Sequence, residues 1–289
     1  MSQTVYLNGE FMPLAEARVP VLDRGFIFGD GVYEVIPVYG RVPLRLAEHL
    51  ARMQNSLNAI HLRNPLTLEE WTRIVGQIIE RNAWDDQAVY VQVTRGVAPR
   101  DQAFPADATP TVFVMANPMS KPSAEQRERG VGVITTEDFR WQRCDIKSVS
   151  LLANCLLRQL AAEAGCVEAI LLRDGHVTEA STSNVFLVKN GVIVSPPKDR
   201  RILPGITLDL VLDLAHKARL PIEVRPVPER ELREADEIWV SSSTKEVLSV
   251  TTLDGKPVGN GQPGPMYARM YALYQDHKAQ IARASAAHA

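Results

Sequence analysis

The sequence predicts an α+β chain of two domains, the second of them partly barrel-like. Short β-rich runs and amphipathic helical runs are mixed along the whole length of 289 residues. A polar stretch with two prolines, PMSKPSAEQRERG at residues 118–130, separates a first group of these runs from a second. We therefore expect a small N-terminal domain over residues 1–118 and a larger C-terminal domain over residues 119–289.

The first domain begins as antiparallel sheet. Asn8-Gly9 in VYLNGEFM is a hairpin signal, and VYEVIPVYGRVPLRL is typical of two strands about Gly40. Two helical runs follow, and the second opens with the capping-box pair Thr67 and Glu70. The runs AVYVQVTRG and TPTVFVMANP then predict two more strands. The apolar residues at helical spacing in the first helical run are Leu50, Met53, Leu57 and Ile60.

The second domain mixes strands and helices. GVGVITT predicts a strand, a helix follows Lys147, and EAILLRDGHVTE is again β-rich. NVFLVKNGVIVS predicts a hairpin about Asn190-Gly191. The amphipathic run GITLDLVLDLAHKARL starts at a Pro-Gly pair, three short strands (IEVRPV, EIWVSS and LSVTTLDGK) come next, and a helix over about 265–282 ends the chain.

Charge and hydropathy narrow the class of partner. The formal net charge is −2 and the isoelectric point is about 6.3, so no basic surface points to nucleic acid or to an anionic membrane. No apolar run approaches the roughly 18 residues that span a bilayer, and the first residues lack the pattern of a secretory signal. We expect a cytoplasmic protein whose partners are small molecules or copies of itself.

Several common site types are not supported by the motifs. The cysteines are odd in number and lack ligand spacing, the six histidines form no HxxxH pair, and no metal site is expected. No GxSxG motif is present. The glycines of DRGFIFGDGVYE match neither a dinucleotide-binding nor a P-loop pattern, so they indicate tight turns before a strand.

Lys147, in RCDIKSVSLLANCLL, has two possible interpretations. Most lysines are solvated surface groups, and a position ahead of a helix fits that description. Alternatively, a desolvated lysine has a lowered pKa and its amine can form a Schiff base with an aldehyde cofactor. Pyridoxal phosphate also requires an acid for its pyridine nitrogen and donors for its phosphate. Glu179 in VTEASTSN is the candidate for the acid. The helix start at Gly205 and Thr207 in LPGITLD is the candidate for the phosphate donors.

Five motifs resemble a known family. DRGFIFGDGVYEV, VTRG, RWQRCDIKS, EASTSNVF and LPGIT follow one another as they do in the fold-type IV pyridoxal-phosphate transaminases, and within that family the chain is most similar to the D-amino-acid transaminases. The resemblance covers nearly the whole chain, from about Val5 to the last helix. It implies a two-domain fold with a small α/β domain and a large domain with a pseudo-barrel β core. It also favours the Schiff-base interpretation of Lys147.

The resemblance implies a role for each residue that matches the cofactor site. Lys147 would hold pyridoxal 5′-phosphate and then carry the proton between Cα and C4′, while Glu179 would pair with the pyridine nitrogen. Thr182 and Ser183 would neighbour the ring face and O3′, and Leu203 would pack beside the cofactor. Glu34 and His49 also match the family, and we treat them as structural. The phosphate ligands that it implies are Arg52, the amides of Ile206 and Thr207, the Thr207 hydroxyl and Ser243.

The substrate site departs from the family pattern at one position. D-amino-acid enzymes of this family grip the substrate carboxylate with a tyrosine and with an Arg-x-His pair from the other subunit. Tyr33 and Arg100 match, but Gln102 stands where the family has histidine. A neutral amide in place of a charged donor weakens such a bond by about 1 kcal/mol. We expect D-amino acids to remain substrates with weaker binding, and Asp101 to be a loop residue that disfavours acidic side chains.

The expected reaction is a ping-pong transamination between a D-amino acid and a 2-oxo acid by a homodimer with shared active sites. Branched-chain L-amino-acid transaminases, (R)-amine transaminases and aminodeoxychorismate lyases have the same lysine, acid and phosphate ligands, so they remain alternatives. A catalytically silent cofactor-binding or scaffold protein is an alternative of another class. The retained lysine and acid argue against it.

Overall fold

The computed structural model describes residues 3–286, which divide into two compact units. The small unit comprises the chain up to Met119 together with the segment Ile146–Leu151. The large unit comprises Ser120–Asp145 and the chain from Leu152 to Arg283. A boundary drawn at a single position near residue 118 cannot include the segment Ile146–Leu151, which contains Lys147.

The small unit is built on an antiparallel six-stranded sheet in the order β2-β1-β6-β5-β3-β4. Its strands are β1 (Thr4–Leu7), β2 (Glu10–Pro13), β3 (Gly31–Tyr39), β4 (Val42–Pro43), β5 (Gln87–Thr94) and β6 (Thr111–Pro118). Its helices are α1 (Arg24–Phe28), α2 (Leu46–Ala59) and α3 (Leu68–Arg81), with a 3-10 turn at Leu14–Glu16. The longest strand, β3, pairs with β5 over most of its length.

Local sequence signals account for most of these elements. The Asn8-Gly9 hairpin is confirmed, since both residues have positive φ and join β1 to β2. The capping box is also confirmed, because Thr67 accepts from the Glu70 amide and Glu70 accepts from the Thr67 amide. The apolar faces of α2 and α3 contribute to one core with β3, β5 and β6. Its largest buried side chains include Met53, Leu57, Trp71, Ile74 and Ile78.

The large unit is built on a mixed sheet in the order β12-β11-β10-β13-β14-β7-β8-β9, with β15 paired to β14. Its strands are β7 (Val131–Glu137), β8 (Glu168–Arg173), β9 (His176–Ala180), β10 (Asn184–Lys189), β11 (Val192–Ser195), β12 (Ile222–Val224), β13 (Glu237–Ser242), β14 (Glu246–Leu253) and β15 (Lys256–Pro257). Its helices are α4 (Ala124–Arg129), α5 (Leu152–Glu163), α6 (Ile206–Lys217), α7 (Glu229–Arg233) and α8 (Pro265–Ala286). The edge strand β9 returns through residues 181–183 to β10, so the sheet curls into a half-barrel. The predicted α+β class with a barrel-like second sheet is confirmed.

Two segments differ from their sequence patterns. The polar stretch at 118–130 contains the helix α4, whose first turn is closed by a capping box between Ser123 and Gln126. The helix predicted after Lys147 begins only at Leu152. Lys147 itself lies in a non-helical segment that pairs with the start of β3, so it is not at a helix N-terminus.

Within residues 3–286, no helix combines the length and the apolar composition that crossing a bilayer requires.

Candidate active site

Lys147 is held by its own backbone on two elements of the small unit. The Tyr33 amide donates to the Lys147 carbonyl at 2.9 Å, and the Lys147 amide donates to Ser56 Oγ on α2 at 3.1 Å. The Lys147 Nζ lies 4.2 Å from the centroid of the Tyr33 ring, within the range of a cation–π contact. Two of the residues singled out from the sequence, Lys147 and Tyr33, are therefore brought together.

The next residue of β3, Glu34, binds two side chains of α2. Arg52 donates from Nε and Nη2 to the two Glu34 carboxylate oxygens, both at 2.8 Å, which is a bidentate fork. His49 Nδ1 lies 2.8 Å from Glu34 Oε2. All three side chains are buried. The structure thus explains why Glu34 and His49 accompany Arg52, whose role as a phosphate ligand stays a prediction.

Burial and charge act in opposite directions on this trio. Burial alone raises the pKa of the Glu34 carboxyl, but the charge and hydrogen bonds of Arg52 outweigh it, so that pKa lies well below its usual range. Burial lowers the pKa of His49 and dominates over the neighbouring Glu34 carboxylate. Glu34 is consequently ionised and His49 neutral at pH 7.

Arg100 and Gln102 lie in the exposed loop between β5 and β6. The Arg100 guanidinium carbon is 5.5 Å from the centroid of the Phe28 ring. The Gln102 carbonyl accepts from Arg24 Nη2 at 3.3 Å. Their role in binding a substrate carboxylate stays a prediction.

In the large unit, Glu179 lies near the end of β9, and both oxygens of its buried carboxylate accept hydrogen bonds. Arg140 Nη1 donates to Oε1 at 2.5 Å, and Oε2 accepts from Asn184 Nδ2 and from the Leu203 amide, both at 3.1 Å. Arg140 is itself held by Asp138 through two bonds of 2.9 Å. Burial raises the pKa of Glu179 to about 7, although Arg140 opposes that shift.

Asn184 links Glu179 to the start of helix α6. Its Nδ2 donates to Glu179 and, at 2.9 Å, to the Leu203 carbonyl. Its Oδ1 approaches Gly205 so closely that a Cβ there would lie 2.0 Å away, which requires glycine. Gly205 precedes the first turn of α6, and no side chain caps that turn. The buried acid and the helix start of Ile206 and Thr207 therefore belong to one place in the large unit.

The turn after β9 is bound to a second buried carboxylate, Glu168. The hydroxyl of Ser183 donates to Glu168 Oε1 at 2.7 Å and that of Thr182 at 2.5 Å. The Thr182 amide donates to Oε2 at 3.1 Å, and the Ser181 hydroxyl also donates to Oε2. Lys245 Nζ lies 2.9 Å from Oε1 and 2.9 Å from Thr182 Oγ1. We call these five side chains the Glu168 cluster.

The Glu168 cluster connects two turns that carry predicted cofactor ligands. Thr182 and Ser183 lie between β9 and β10, while Ser243 and Lys245 lie between β13 and β14. Ser243 is half-buried. Burial raises the pKa of Glu168, but the Lys245 charge and the surrounding donors outweigh it, so Glu168 is ionised at pH 7.

Sequence reasoning missed Glu168, Lys245, Arg140 and Asn184. A weak signal existed for Glu168, because a lone carboxylate opens the apolar run of β8 and a buried strand carboxylate needs partners. No local pattern could have identified its partners, since they come from other strands and turns.

The chain is similar to known proteins along most of its length. Residues 31–253 match the family described as amino-transferase class IV. The chain is 42% identical to the D-alanine aminotransferase of Bacillus licheniformis over 272 residues, which are 94% of this chain and 96% of the relative. It is 39% identical to the D-alanine aminotransferase of Staphylococcus aureus over 276 residues, or 95% of this chain and 98% of the relative.

Solved structures show the same fold. The T.th. branched-chain amino acid aminotransferase with pyridoxamine 5′-phosphate superposes with a TM-score of 0.89 at 27% identity, over 96% of this chain and 94% of that one. The Escherichia coli branched-chain amino acid aminotransferase gives a TM-score of 0.88 at 25% identity, over 94% of this chain and 93% of that one.

Proposed function

Because the chain belongs to the class IV aminotransferases, we propose that it transfers the amino group of a D-amino acid to a 2-oxo acid such as 2-oxoglutarate. The observation that carries the substrate class is the similarity to D-alanine aminotransferases at 38–42% identity along nearly the whole chain. Family membership makes the protein an aminotransferase that depends on pyridoxal 5′-phosphate.

The donor set of the described residues fits this cofactor. Lys147 supplies a primary amine for the aldehyde, and Glu179 is a buried acid of the kind that a pyridine nitrogen requires. The uncapped start of α6, with the amides of Ile206 and Thr207, suits a phosphate. When bound, the cofactor supplies a conjugated ring that accepts the electron pair left at the substrate Cα.

Lys147 and Glu179 have complementary tasks in this proposal. The Lys147 amine holds the cofactor and, once the substrate has displaced it, moves the proton at the substrate Cα. Glu179 supplies a negative charge that keeps the pyridine nitrogen protonated, and Arg140, Asn184 and the Leu203 amide hold its carboxylate in place. Arg52, Ile206, Thr207 and Ser243 bind the phosphate, and Thr182, Ser183 and Leu203 surround the ring.

Substrate selection rests on Tyr33, Arg100 and Gln102. The Tyr33 ring contacts the Lys147 amine, so a carboxylate that binds the tyrosine hydroxyl is placed near the group that moves the proton. The Arg100 guanidinium is positively charged and can donate two parallel hydrogen bonds to a carboxylate. Gln102 adds a neutral donor, so we expect D-amino acids to bind more weakly than in enzymes with histidine there.

A homodimer is part of the same proposal, because the family's carboxylate loop serves the neighbouring subunit. Helix α5 exposes an apolar stripe, with Leu152 at 75%, Leu156 at 52% and Leu160 at 42% exposure, which a second copy would cover. A cytoplasmic location is also proposed. It agrees with the unpaired thiols of all three cysteines.

Branched-chain L-amino acids are the second candidate substrates. The observation that favours them is the structural match to branched-chain amino acid aminotransferases, with TM-scores of 0.88 and 0.89. The higher identity to D-alanine aminotransferases, 42% against 27%, favours the D-amino-acid proposal.

A half-reaction experiment distinguishes these candidates. The visible band of the cofactor-loaded enzyme is recorded before and after D-alanine, L-leucine or an (R)-amine is added separately. Loss of the band with D-alanine alone is expected, and a Lys147→Ala variant should show no comparable conversion. Conversion by L-leucine or the amine but not by D-alanine would contradict the proposal.

A further inference from the structure

The glycine-rich segment DRGFIFGDG and the loop between β5 and β6 meet within the small unit. The base of the loop is closed by buried Asp23, which accepts from Thr94 Oγ1 at 3.0 Å and from Thr111 Oγ1 at 2.6 Å. Gly96 is in the left-handed region at φ +92°, and a Cβ there would lie 1.8 Å from the Thr109 carbonyl oxygen. Both ends of the loop are therefore fixed.

Above this base, one carboxylate holds two buried guanidinium groups. Asp30 Oδ2 accepts from Arg24 Nε and from Arg95 Nε, both at 2.8 Å, and Asp30 Oδ1 accepts from Arg95 Nη2 at 3.1 Å. The relative exposures of the Arg24 and Arg95 side chains are 3% and 5%. Two positive charges thus face one negative charge away from water. The remaining guanidinium N–H groups need acceptors from elsewhere.

The tip of the loop supplies the acceptors for Arg24, whereas Arg95 donates to the carbonyls of Ile60 at 2.7 Å and His61 at 3.3 Å, outside the loop. Arg24 Nη1 donates to the carbonyls of Asp101 at 2.5 Å and Ala103 at 3.3 Å, and Nη2 donates to the Gln102 carbonyl at 3.3 Å. Three successive backbone carbonyls of the loop are therefore bound by a single side chain.

The residues on either side of these carbonyls are also held. The Arg95 guanidinium carbon lies 3.6 Å from the centroid of the Phe104 ring. The Phe28 ring, at the end of α1, lies 4.8 Å from the Arg24 guanidinium carbon and 5.5 Å from that of Arg100. Residues 100–104 thus contact Arg24, Phe28 or Arg95 at every position.

We propose that Arg24, Arg95 and Asp30 are positioning residues that determine how strongly the enzyme binds the substrate carboxylate. We call them the arginine clamp. The clamp holds residues 100–104 in the conformation in which Arg100 and Gln102 bind that carboxylate, and this role rests on the function proposed above. Release of the loop leaves the buried N–H donors of Arg24 without their acceptors at residues 101–103, which disfavours other loop conformations.

The clamp depends on the forked shape of the guanidinium. A lysine at position 24 keeps the charge but has one nitrogen, so it cannot bind Asp30 and three successive carbonyls together. Arg24→Lys therefore tests geometry at constant charge. Arg41→Lys is the matched control, because Arg41 Nη2 also donates to backbone carbonyls in this unit, at 2.8 Å from Ile79 and 3.1 Å from Asn82.

The first readout is cleavage by trypsin after Arg100 in the holoenzyme, followed by mass spectrometry of the fragments. Arg24→Lys is expected to speed this cleavage about tenfold, the order expected from loss of charged hydrogen bonds, while Arg41→Lys leaves it near the wild-type rate. Unchanged cleavage in Arg24→Lys would overturn the clamp, whether or not D-amino acids are substrates.

The second readout is steady-state kinetics with D-alanine together with the dissociation constant of pyridoxal phosphate. Arg24→Lys should raise KM about tenfold and leave kcat and cofactor affinity within about twofold of wild type. Faster cleavage without a change in KM would show a loop clamp that has no part in carboxylate binding, and would overturn the proposal. Failure of the wild-type enzyme to use any D-amino acid would instead refute the proposed function.

A second variant keeps the test decisive if Arg24→Lys does not fold. Phe104 is 54% exposed, so Phe104→Ala removes its contact with Arg95 at little cost to the core. Faster cleavage after Arg100 with a higher KM for D-alanine supports the clamp. Wild-type values for both would overturn it.

Discussion

Replacement of Glu168 by glutamine tests how the Glu168 cluster supports the cofactor site. The change is nearly isosteric and converts one of two carboxylate oxygens into an amide nitrogen. Oε1 faces the Lys245 ammonium and Oε2 faces the Thr182 amide, neither of which can accept a hydrogen bond. Whichever way the glutamine amide turns, its nitrogen meets an obligate donor.

The cost follows from burial and charge. Glu168 has no exposed surface, and Lys245 keeps 20% of its side-chain exposure. Removal of one partner from a buried ion pair costs about 3–5 kcal/mol, and an orphaned donor costs about 1–3 kcal/mol. Because Lys245 can partly turn to water, we expect Glu168→Gln to lower the free energy of unfolding by about 3 kcal/mol.

The matched control is Glu246→Gln in the same unit. Glu246 is equally buried and binds Arg127, Gln275 and Lys278, but none of its partners is a proposed cofactor ligand. Urea unfolding of the cofactor-free protein should show a comparable loss for both variants. Titration with pyridoxal phosphate should show about tenfold weaker binding for Glu168→Gln and a change within about twofold for Glu246→Gln.

Two results would refute this reasoning. If the free energy of unfolding of Glu168→Gln lies within about 0.5 kcal/mol of the wild-type value, the buried ion pair of Glu168 and Lys245 does not stabilise the fold as argued. If both variants lose cofactor affinity equally, the effect comes from general destabilisation and not from Thr182 and Ser183.

Three further changes test other parts of the site. Because the pKa of His49 is lowered in the folded state, the unfolded chain binds the extra proton and stability falls as pH drops below about 6.5, by up to about 1.4 kcal/mol per pH unit. His49→Asn should flatten the dependence of Tm on pH over about one to two pH units below neutrality, and an unchanged slope would mean that other groups cause it. Gln102→His should lower KM for D-alanine several-fold at constant kcat in steady-state assays, because a charged donor replaces a neutral one, and an unchanged KM would show that the residue does not contact the carboxylate. Glu179→Gln should slow the D-alanine half-reaction at least about a hundredfold in stopped-flow measurements, since the pyridine nitrogen loses its counter-charge, and a rate within about tenfold of wild type would remove Glu179 from that role.

Elements defined by local chemistry were predictable from the sequence. The turns at Asn8-Gly9 and Asn190-Gly191 need positive φ at both residues, and Asn-Gly provides it at low cost. The capping box at Thr67 depends on residues three positions apart. Helix α4 was missed because its polar sequence has no apolar face, although Ser123 and Gln126 carry a capping signal.

Contacts between distant parts of the chain were not predictable from spacing. Lys147 lies outside the helix that follows it because its carbonyl accepts from the Tyr33 amide, a pairing that no local pattern encodes. The resemblance to a family suggested which residues matter, but not that Glu168 gathers the turn at 181–183 or that Arg24 holds the loop at 101–103. Such buried polar networks depend on the tertiary structure that brings their members together.

The central claim is most directly tested by the configuration of the amino acid formed. The purified enzyme loaded with pyridoxal phosphate is incubated with D-alanine and 2-oxoglutarate, and the glutamate produced is resolved by chiral chromatography. The account predicts D-glutamate, with no product from a Lys147→Ala variant under the same conditions. Formation of L-glutamate, or of no glutamate while L-leucine serves as donor, would contradict it.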